Sequence, residues 1–540
     1  MRRMMRWFVP WGAVLLTAAA VRLWTFAAWR VSPLRALGEI PGLDCLTQLQ
    51  LGALFRRGQG VFTPFKMLYL LAGGDPCRLT GWQLAAGVVA ALCVAYAMLR
   101  LTGSRRAACA AGIASALAGN ALMYEIVPLQ ESTTLLLTAA SFAALLWARK
   151  RRFAPFPAVG AGFVLGLAGT GRPSLLLWVA AALIWAAFRL RRYRAPRRFG
   201  WLALGLLLVW IPVTVWNIRH AAWPLPWYGS NIRYALAVAA SPELADWNAV
   251  PAETPPVSSI FGGLPRKAAL LFHWRVIPDN LDYPFIAERF APVGRLIPPA
   301  LLVLFGAAGL LTMLPRWRRK EGLVLLWFVT AAAVFTCYSP VGRYRATLTP
   351  VAAIAAVWWF KTPRPLHRWA FASFGAVFAA ELVLTPFFPA RRRASDCTLW
   401  MLALERSGAS AAEIDAAGWE ALWVSEGGVR ETARLLQRLV ASDRLAEARG
   451  VLTAYPGDDP CRRYFAALLE LGEGRPASCR DRLAALDPDE LPPELRDDHA
   501  FYLGEAYRLT GDLAAARRAW EPLMENPRYR RLIDQRLSAE

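Results

Sequence analysis

The chain has 540 residues, 56% of them hydrophobic, a mean hydropathy of +0.32 and a formal net charge of +23. That is more apolar than a soluble domain, and its basic residues sit in short clusters between apolar runs instead of forming one stripe or tail, which argues against a nucleic-acid binder and for the positive-inside pattern of a membrane protein. The 24 tryptophans fit the same reading, because indole rings anchor helices at the membrane interface.

In chain order, apolar stretches long enough to cross a bilayer as helices predict about eleven spans. They lie near 7–29, 80–101, 106–123, 132–148, 157–171, 174–190, 200–218, 296–314, 322–338, 346–360 and 369–388. The first follows Arg2, Arg3 and Arg6 and resembles a signal peptide, but it lacks a clear cleavage site and precedes many further spans, so it reads as a membrane helix. The pair 157–171 and 174–190 is separated only by Arg172-Pro173, and each member is short for a full span. With the N-terminus in the cytoplasm of a bacterial cell, strict alternation puts Arg105-Arg106, Arg149–Arg152, Arg189–Arg198, Arg316–Lys320 and Lys361–Arg368 inside, as the charge rule requires. A first loop near 30–79, a long loop near 219–295 and the tail then lie in the periplasm. Arg391, Arg392 and Arg393 run against the rule, and a miscount of one span moves the tail to the cytoplasm.

The expected fold is all-α: a membrane domain over 1–390 and a small soluble helical domain over 391–540. The tail is rich in Ala, Leu, Glu and Arg, with apolar residues at helical spacing. Its segment His499–Pro527 resembles a tetratricopeptide repeat, with small residues where paired helices touch, Gly511-Asp512 at the turn and Pro527 at the end. Weaker copies lie near 429–456 and 461–487. A generic helical bundle is the alternative.

Polar groups that persist beside apolar runs are the candidates for chemistry, and most fall in the outer turns. Asp44 starts an amphipathic segment in which Leu46, Leu49, Leu54 and Phe55 line one face, as in a helix lying on the membrane. The position suits an N-cap, and a catalytic carboxylate is the second reading. Tyr124, Glu125 and Glu131 share a short turn, where paired carboxylates could bind a metal or hold a hydroxyl or amine, or simply be solvated. Glu131 also suits a helix N-terminus. Arg172 needs a partner, an anionic headgroup, or a path to the interface by snorkelling. Arg343, Tyr344 and Arg345 place two forked cations before a span, where they could chelate phosphate. The long loop carries Asn217, His220, Trp223, Trp227, Tyr228, Asn231, His273, Trp274, Asp279, Asn280, Asp282 and Tyr283, which suit either a sugar-bearing ligand or interfacial anchoring. Arg22 and Glu381 lie inside spans and receive no role. Cys45 and Cys77 share the first outer loop, either bridged or free, and no CxxC pair indicates a zinc site. The chain has no P-loop, HExxH or GxSxG motif.

The order of these elements resembles the GT-C superfamily of integral-membrane glycosyltransferases, in particular the branch of protein O-mannosyltransferases and the lipid A aminoarabinose transferase. The resemblance covers about residues 7–388. It rests on Asp44, LGALFRRGQG at 51–60, the Pro64–Tyr69 helix, Glu131, GLAGTGRP at 166–173, PVTVWN at 212–217, and RYR at 343–345 followed by Pro350. It implies an inverting transfer of sugar from a polyprenyl-phosphate donor, in membrane lipid, to a periplasmic acceptor: protein, lipid or polysaccharide. In that scheme Asp44 and Glu131 are catalytic, and Arg343, Arg345 and Arg172 bind the donor phosphate. Tyr124, Glu125, Asn217 and Tyr344 bind substrate, and a divalent metal ion is the one cofactor left open. Cys45 and Leu46 stand where many relatives carry an acidic residue or Tyr. The tail is expected to recruit a protein partner on a concave surface. The rival readings are a non-catalytic membrane scaffold and a lipid or solute transporter.

Overall fold

The computed structural model describes residues 2–40, 43–221, 264, 267–271, 273, 282–337, 342–361, 367–384, 393–455 and 459–538. Trp223, Trp227, Tyr228, Asn231, Trp274, Asp279, Asn280, Arg391 and Arg392 lie outside the described residues. The chain is all-α and forms two compact units, Met1–Ala390 and Arg391–Glu540.

The helices of the first unit are α1 (Arg2–Val31), α2 (Asp44–Arg56), α3 (Pro64–Leu71), α4 (Pro76–Thr102), α5 (Arg105–Ala116), α6 (Gly119–Glu125), α7 (Glu131–Lys150), α8 (Pro155–Gly171), α9 (Leu176–Arg192) and α10 (Phe199–Ala221). They continue as α11 (Tyr283–Arg289), α12 (Ala291–Gly294), α13 (Pro299–Met313), α14 (Gly322–Cys337), α15 (Gly342–Ala346), α16 (Thr349–Phe360) and α17 (His367–Leu384). Among the described residues, five helices are long and apolar enough to cross a membrane: Pro10–Val31, Pro76–Thr102, Glu131–Lys150, Pro196–His220 and Pro299–Arg316. Three more, Pro155–Gly171, Gly322–Thr336 and Thr349–Phe360, are apolar but shorter. With Leu16, Phe188, Ile211 and Phe371 exposed on outward faces, this is a multi-pass membrane protein whose solvent on those faces is lipid.

Within the described residues each expected span is helical, with one difference. The stretch near 106–123 is two helices, α5 and α6, broken at Leu117-Ala118. There the backbone leaves its own ladder and pairs with a distant segment: Gly119 N–H donates to Ile297 O at 3.1 Å, and Ile297 N–H donates to Leu117 O at 2.9 Å. A break inside an apolar bundle is tolerated because protein, not lipid, satisfies the freed groups. Arg172, between α8 and α9, is extended (φ −147, ψ 140), so these two short segments are separate helices.

Small residues set the packing. α8 carries Gly162 and Gly166 four apart and meets α10 backbone to backbone. A Cβ on Gly162 would lie 2.0 Å from Leu202 O, and one on Gly205 would lie 2.0 Å from Val159 O. Between membrane helices such close approach supplies the van der Waals contact that a hydrophobic drive cannot. At the centre, Phe142, Trp178 and Trp327 pack ring on ring at 5.1–6.4 Å, and Trp178 Nε1 donates to Ser141 Oγ at 3.0 Å.

The basic turns converge at one end of the bundle. Lys320 Nζ donates to Arg100 O at 3.2 Å, Arg189 Nη2 to Arg318 O at 3.1 Å, and Arg198 Nη1 to Arg152 O at 2.7 Å. The turns that begin α2, α7, α9 and α16 alternate with these along the chain and form the opposite end.

The second unit is four helix pairs and a closing helix: α18 (Ala394–Ser407) with α19 (Ala411–Val424), α20 (Val429–Ala441) with α21 (Leu445–Ala454), α22 (Pro460–Gly472) with α23 (Pro476–Ala484), α24 (Pro493–Leu509) with α25 (Leu513–Trp520), then α26 (Pro527–Ser538). Leu435, Leu439, Tyr464, Phe465, Leu468 and Leu483 fill its core. In the α24–α25 pair, Gly504 lies against the Trp520 indole, which a Cβ would approach to 2.3 Å. Gly511 takes φ +87 at the turn, and the Asp512 carboxylate accepts from Ala515 N at 2.9 Å, so the sequence at this turn has a direct physical reason.

The α8–α10 contact gives a test. Gly162→Ala drives a methyl into a backbone carbonyl and is expected to cost about 1–3 kcal/mol, read as a lower thermal midpoint in detergent. Gly160→Ala, whose Cβ meets nothing nearer than Trp147 Cζ3 at 3.5 Å, should leave the midpoint unchanged.

Candidate functional site

Four turns bring their charged residues together at the end of the bundle opposite the basic turns. Glu131 is the first residue of α7 and fully buried. A carboxylate there is favoured by the helix N-terminus, but burial makes a cationic partner obligatory. Arg172 supplies one, its Nη2 bonded to Glu131 Oε1. Arg343 on α15 supplies a second, with Nε 3.7 Å from the same Oε1. Arg343 also reaches outward, its Nη1 bonded to Asp44 Oδ2. Tyr344 packs beneath both cations. Its ring lies 5.0 Å from the Arg172 guanidinium and 5.2 Å from that of Arg343, its hydroxyl accepts from Arg343 Nη2 at 3.4 Å, and it stacks on Phe335. The quadrupole of the ring favours both positive charges.

The two carboxylates differ in access. The Asp44 side chain is 45% exposed and that of Glu131 is 0% exposed, while the arginines are almost buried. Glu131 Oε2 is buried and takes no hydrogen bond among the described residues. Asp44 is the first helical residue of α2, and the cap position is Leu43, with no side-chain cap bond. The N-cap reading of Asp44 is therefore replaced by an ion pair with a residue 299 positions away.

Polar clamps hold these turns. Gln83, buried within α4, donates from Nε2 to Val127 O (2.9 Å), Leu129 O (3.2 Å) and Ser132 Oγ (2.9 Å). It ties down the turn before Glu131, and the Thr133 and Thr134 hydroxyls donate to Gln130 O. Gln130 Nε2 in turn donates to Gln48 Oε1 on α2 at 3.1 Å. Sequence reasoning missed Gln83, although a glutamine inside an apolar span was the signal for it. The α2–α3 hairpin closes where Gly52 meets the Tyr69 ring, 2.7 Å from a would-be Cβ. Cys45, Gly52 and Phe55 of α2 are buried, and of the apolar face expected to lie on the membrane Leu46 and Leu49 are half-buried and Leu54 is exposed.

Other candidates have different neighbours. Asn217 Oδ1 accepts from Phe62 N at 3.0 Å, and Trp216 Nε1 donates to Gly60 O at 3.1 Å, so this motif anchors the first loop to α10. Glu125 pairs with Arg22 at 2.8 Å, Arg22 Nη1 also donates to Ala116 O at 2.7 Å, and Gly87 leaves room for the carboxylate. Tyr124, beside it on α6, is buried. Arg345 donates to Leu270 O at 3.2 Å and to His273 O. Neither Arg345 nor Glu125 joins the Asp44–Arg343–Glu131–Arg172 cluster. Cys45 and Cys77 are free thiols. That of Cys45 is held in its neutral form, chiefly by burial and then by the charges of Asp44 and Glu131.

The donor set does not fit a divalent metal. Both carboxylates already carry guanidiniums, and among the described residues no three His, Cys, Asp or Glu side chains converge.

No family model and no curated protein matches the chain. Among solved structures it is similar to the oligosaccharyltransferase of Archaeoglobus fulgidus in its apo form, at 13% identity and a TM-score of 0.34, covering 76% of this chain and 58% of that one. It is similar to the same protein tethered by a disulfide to an acceptor peptide with an NVT sequon, at 16% identity and a TM-score of 0.32, covering 77% of this chain and 57% of that one. The chain thus spans less than two thirds of that protein's length, and likeness at this level fixes neither family nor activity.

Two measurements probe the site's construction. Arg172→Met leaves buried Glu131 short of a partner and is expected to destabilise by about 3 kcal/mol. Adding Glu131→Gln should recover much of that loss, read as a double-mutant cycle in thermal unfolding. The second concerns Lys66 on α3, which is buried and donates to Val61 O at 2.6 Å. Burial pushes its ammonium down from 10.5 to about 8. Between those values the unfolded chain keeps a proton that the folded chain has released, so stability rises with pH from about 8 to 10.5 and then levels off. Lys66→Met should flatten that rise.

Proposed function

We propose that the chain is a GT-C-type glycosyltransferase that moves a sugar from a polyprenyl-phosphate donor to an acceptor at the end of the bundle where Asp44, Glu131, Arg172 and Arg343 meet. The observation that carries this reading is the cluster itself: one half-exposed carboxylate beside two nearly buried guanidiniums seated over Tyr344. Arginine forks match the oxygens of a phosphate, and a membrane helix bundle retains such charges where function needs them. The order of motifs from Asp44 to Pro350 adds to the reading.

In the proposed reaction the acceptor hydroxyl or amine attacks the anomeric carbon from the face opposite the phosphate. The bond from that carbon to the phosphate oxygen breaks, its electron pair stays with the oxygen, and the acceptor's proton passes to the Asp44 carboxylate. Arg343 and Arg172 neutralise the leaving phosphate. Glu131, out of reach of solvent, sets the positions of both arginines. Tyr344 orients them, while Asn217 holds the first loop in place. Arg345 and Glu125 lie outside this scheme. The site end would face the periplasm and the basic end the cytoplasm of a bacterial inner membrane, and the tail's helix pairs would serve as a tetratricopeptide-like surface for an acceptor or partner protein.

The test compares wild type with Asp44→Asn, both folded in detergent, on a panel of polyprenyl-phosphate sugars, following released polyprenyl phosphate. Wild-type release of one donor, reduced about 10²–10⁴-fold in the variant, is the expected result. Wild type that neither binds nor cleaves any donor lipid overturns the reading.

A further inference from the structure

Two carboxylates beside a phosphate-bearing substrate commonly hold a divalent cation that neutralises the leaving group. Here the space between them is already filled by positive charge. Arg343 spans the pair, with Nη1 on Asp44 Oδ2 and Nε 3.7 Å from Glu131 Oε1. Arg172 takes the same Glu131 oxygen through Nη2. Two guanidiniums and two carboxylates balance, and guanidinium does not give up its proton in proteins. Neither cation swings freely. Both side chains are nearly buried, both lie over the Tyr344 ring, and Arg343 Nη2 is tied to the Tyr344 hydroxyl. A metal seated on Asp44 and Glu131 would have to displace arginines from the Tyr344 ring, or sit against two fixed like charges. Cys45, next to Asp44, is buried and brings no compensating anion.

We infer that Arg343 and Arg172 together fill the role of the divalent cation, so that this site binds its phosphate and turns over without metal. The inference deepens the transferase reading and rests on it for the substrate, but its metal-binding arm stands apart from activity. Arg343 is the more important of the two, because it contacts both carboxylates. Removing it should convert the site into one that accepts a metal.

The experiment titrates Mn²⁺ into folded wild type, Asp44→Asn, Arg343→Lys and Arg343→Met, reading free Mn²⁺ by electron paramagnetic resonance and bound metal by elemental analysis after desalting. In parallel, turnover of the polyprenyl-phosphate sugar is measured after chelating resin, with EDTA and with added Mn²⁺. Wild type is expected to bind no more Mn²⁺ than Asp44→Asn, and Arg343→Lys, which keeps the charge, should match it. Arg343→Met should gain about tenfold or more in Mn²⁺ affinity, lost again when Asp44→Asn is added. Wild-type turnover should be unchanged by EDTA. Mn²⁺ bound by wild type and lost in Asp44→Asn overturns the inference, as does turnover abolished by EDTA and restored by Mn²⁺. Should Arg343→Met fail to fold, the comparison of wild type with Asp44→Asn still decides the matter. Absence of turnover on every donor counts against the transferase reading alone, since the titration reads metal binding without it.

Discussion

The burial of Glu131 is the constraint on which the outer end of this bundle depends. A fully buried carboxylate is sustainable only with cations in contact, and it draws them from two segments far apart in sequence. Arg172 reaches it because α8 stops at Gly171 and the chain runs extended before α9 begins. Arg343 reaches it because the short helix α15 precedes α16. The interruptions between these membrane helices thus have an electrostatic reason. Once Arg343 is held from below by Glu131 and Tyr344, its remaining reach is toward Asp44, and the first loop is brought over the site. One buried anion fixes two cations, and one of them, Arg343, in turn fixes a second, accessible anion.

The same residue types serve a different purpose a few positions away. Arg22 and Glu125 form an ion pair closed on both sides, backed by Ala116 O and seated against Gly87. It joins α1, α4 and α6 and offers no exposed oxygen. The Asp44 cluster differs in one respect that matters for chemistry, which is that one member is half open while the rest are enclosed. Neutral clamps set that contrast. Gln83 fixes the turn before Glu131, and Asn217 with Trp216 fixes the loop that carries α2. Amide and indole groups suit such positions, because they satisfy buried carbonyls without adding charge that would need its own partner.

Much of this was legible in the sequence, for a physical reason. Asp44, Glu131, Arg172 and Arg343 stand out because ionisable groups beside apolar runs are costly and are kept only where something compensates them. The helices are legible by length and apolarity. What the sequence could not settle was the choice among partners. Arg345 carries the same signal as Arg343, two residues away, yet the helical turn of α15 sends it toward Leu270 and His273. Glu125 shares a turn with Glu131 and faces Arg22 instead. Asp44 looked more like a cap than a site residue, because its ion-pair partner is remote. The break between α5 and α6 falls in an Ala-rich stretch with no proline to mark it, and its pairing with Ile297 and the close approach of Gly119 to Tyr283 and Val293 account for it.

That pairing has a consequence for how the protein is made. The backbone groups freed at Leu117 and Gly119 find their partners on Ile297, and Glu131 and Asp44 find theirs on Arg343. A ribosome delivers the early helices to the membrane well before those residues exist. Until then, the pairing that holds α5 and α6 apart is missing, and Arg343 has yet to join the two carboxylates. The outer end therefore completes its pairing in a late step, once α15 has been synthesised.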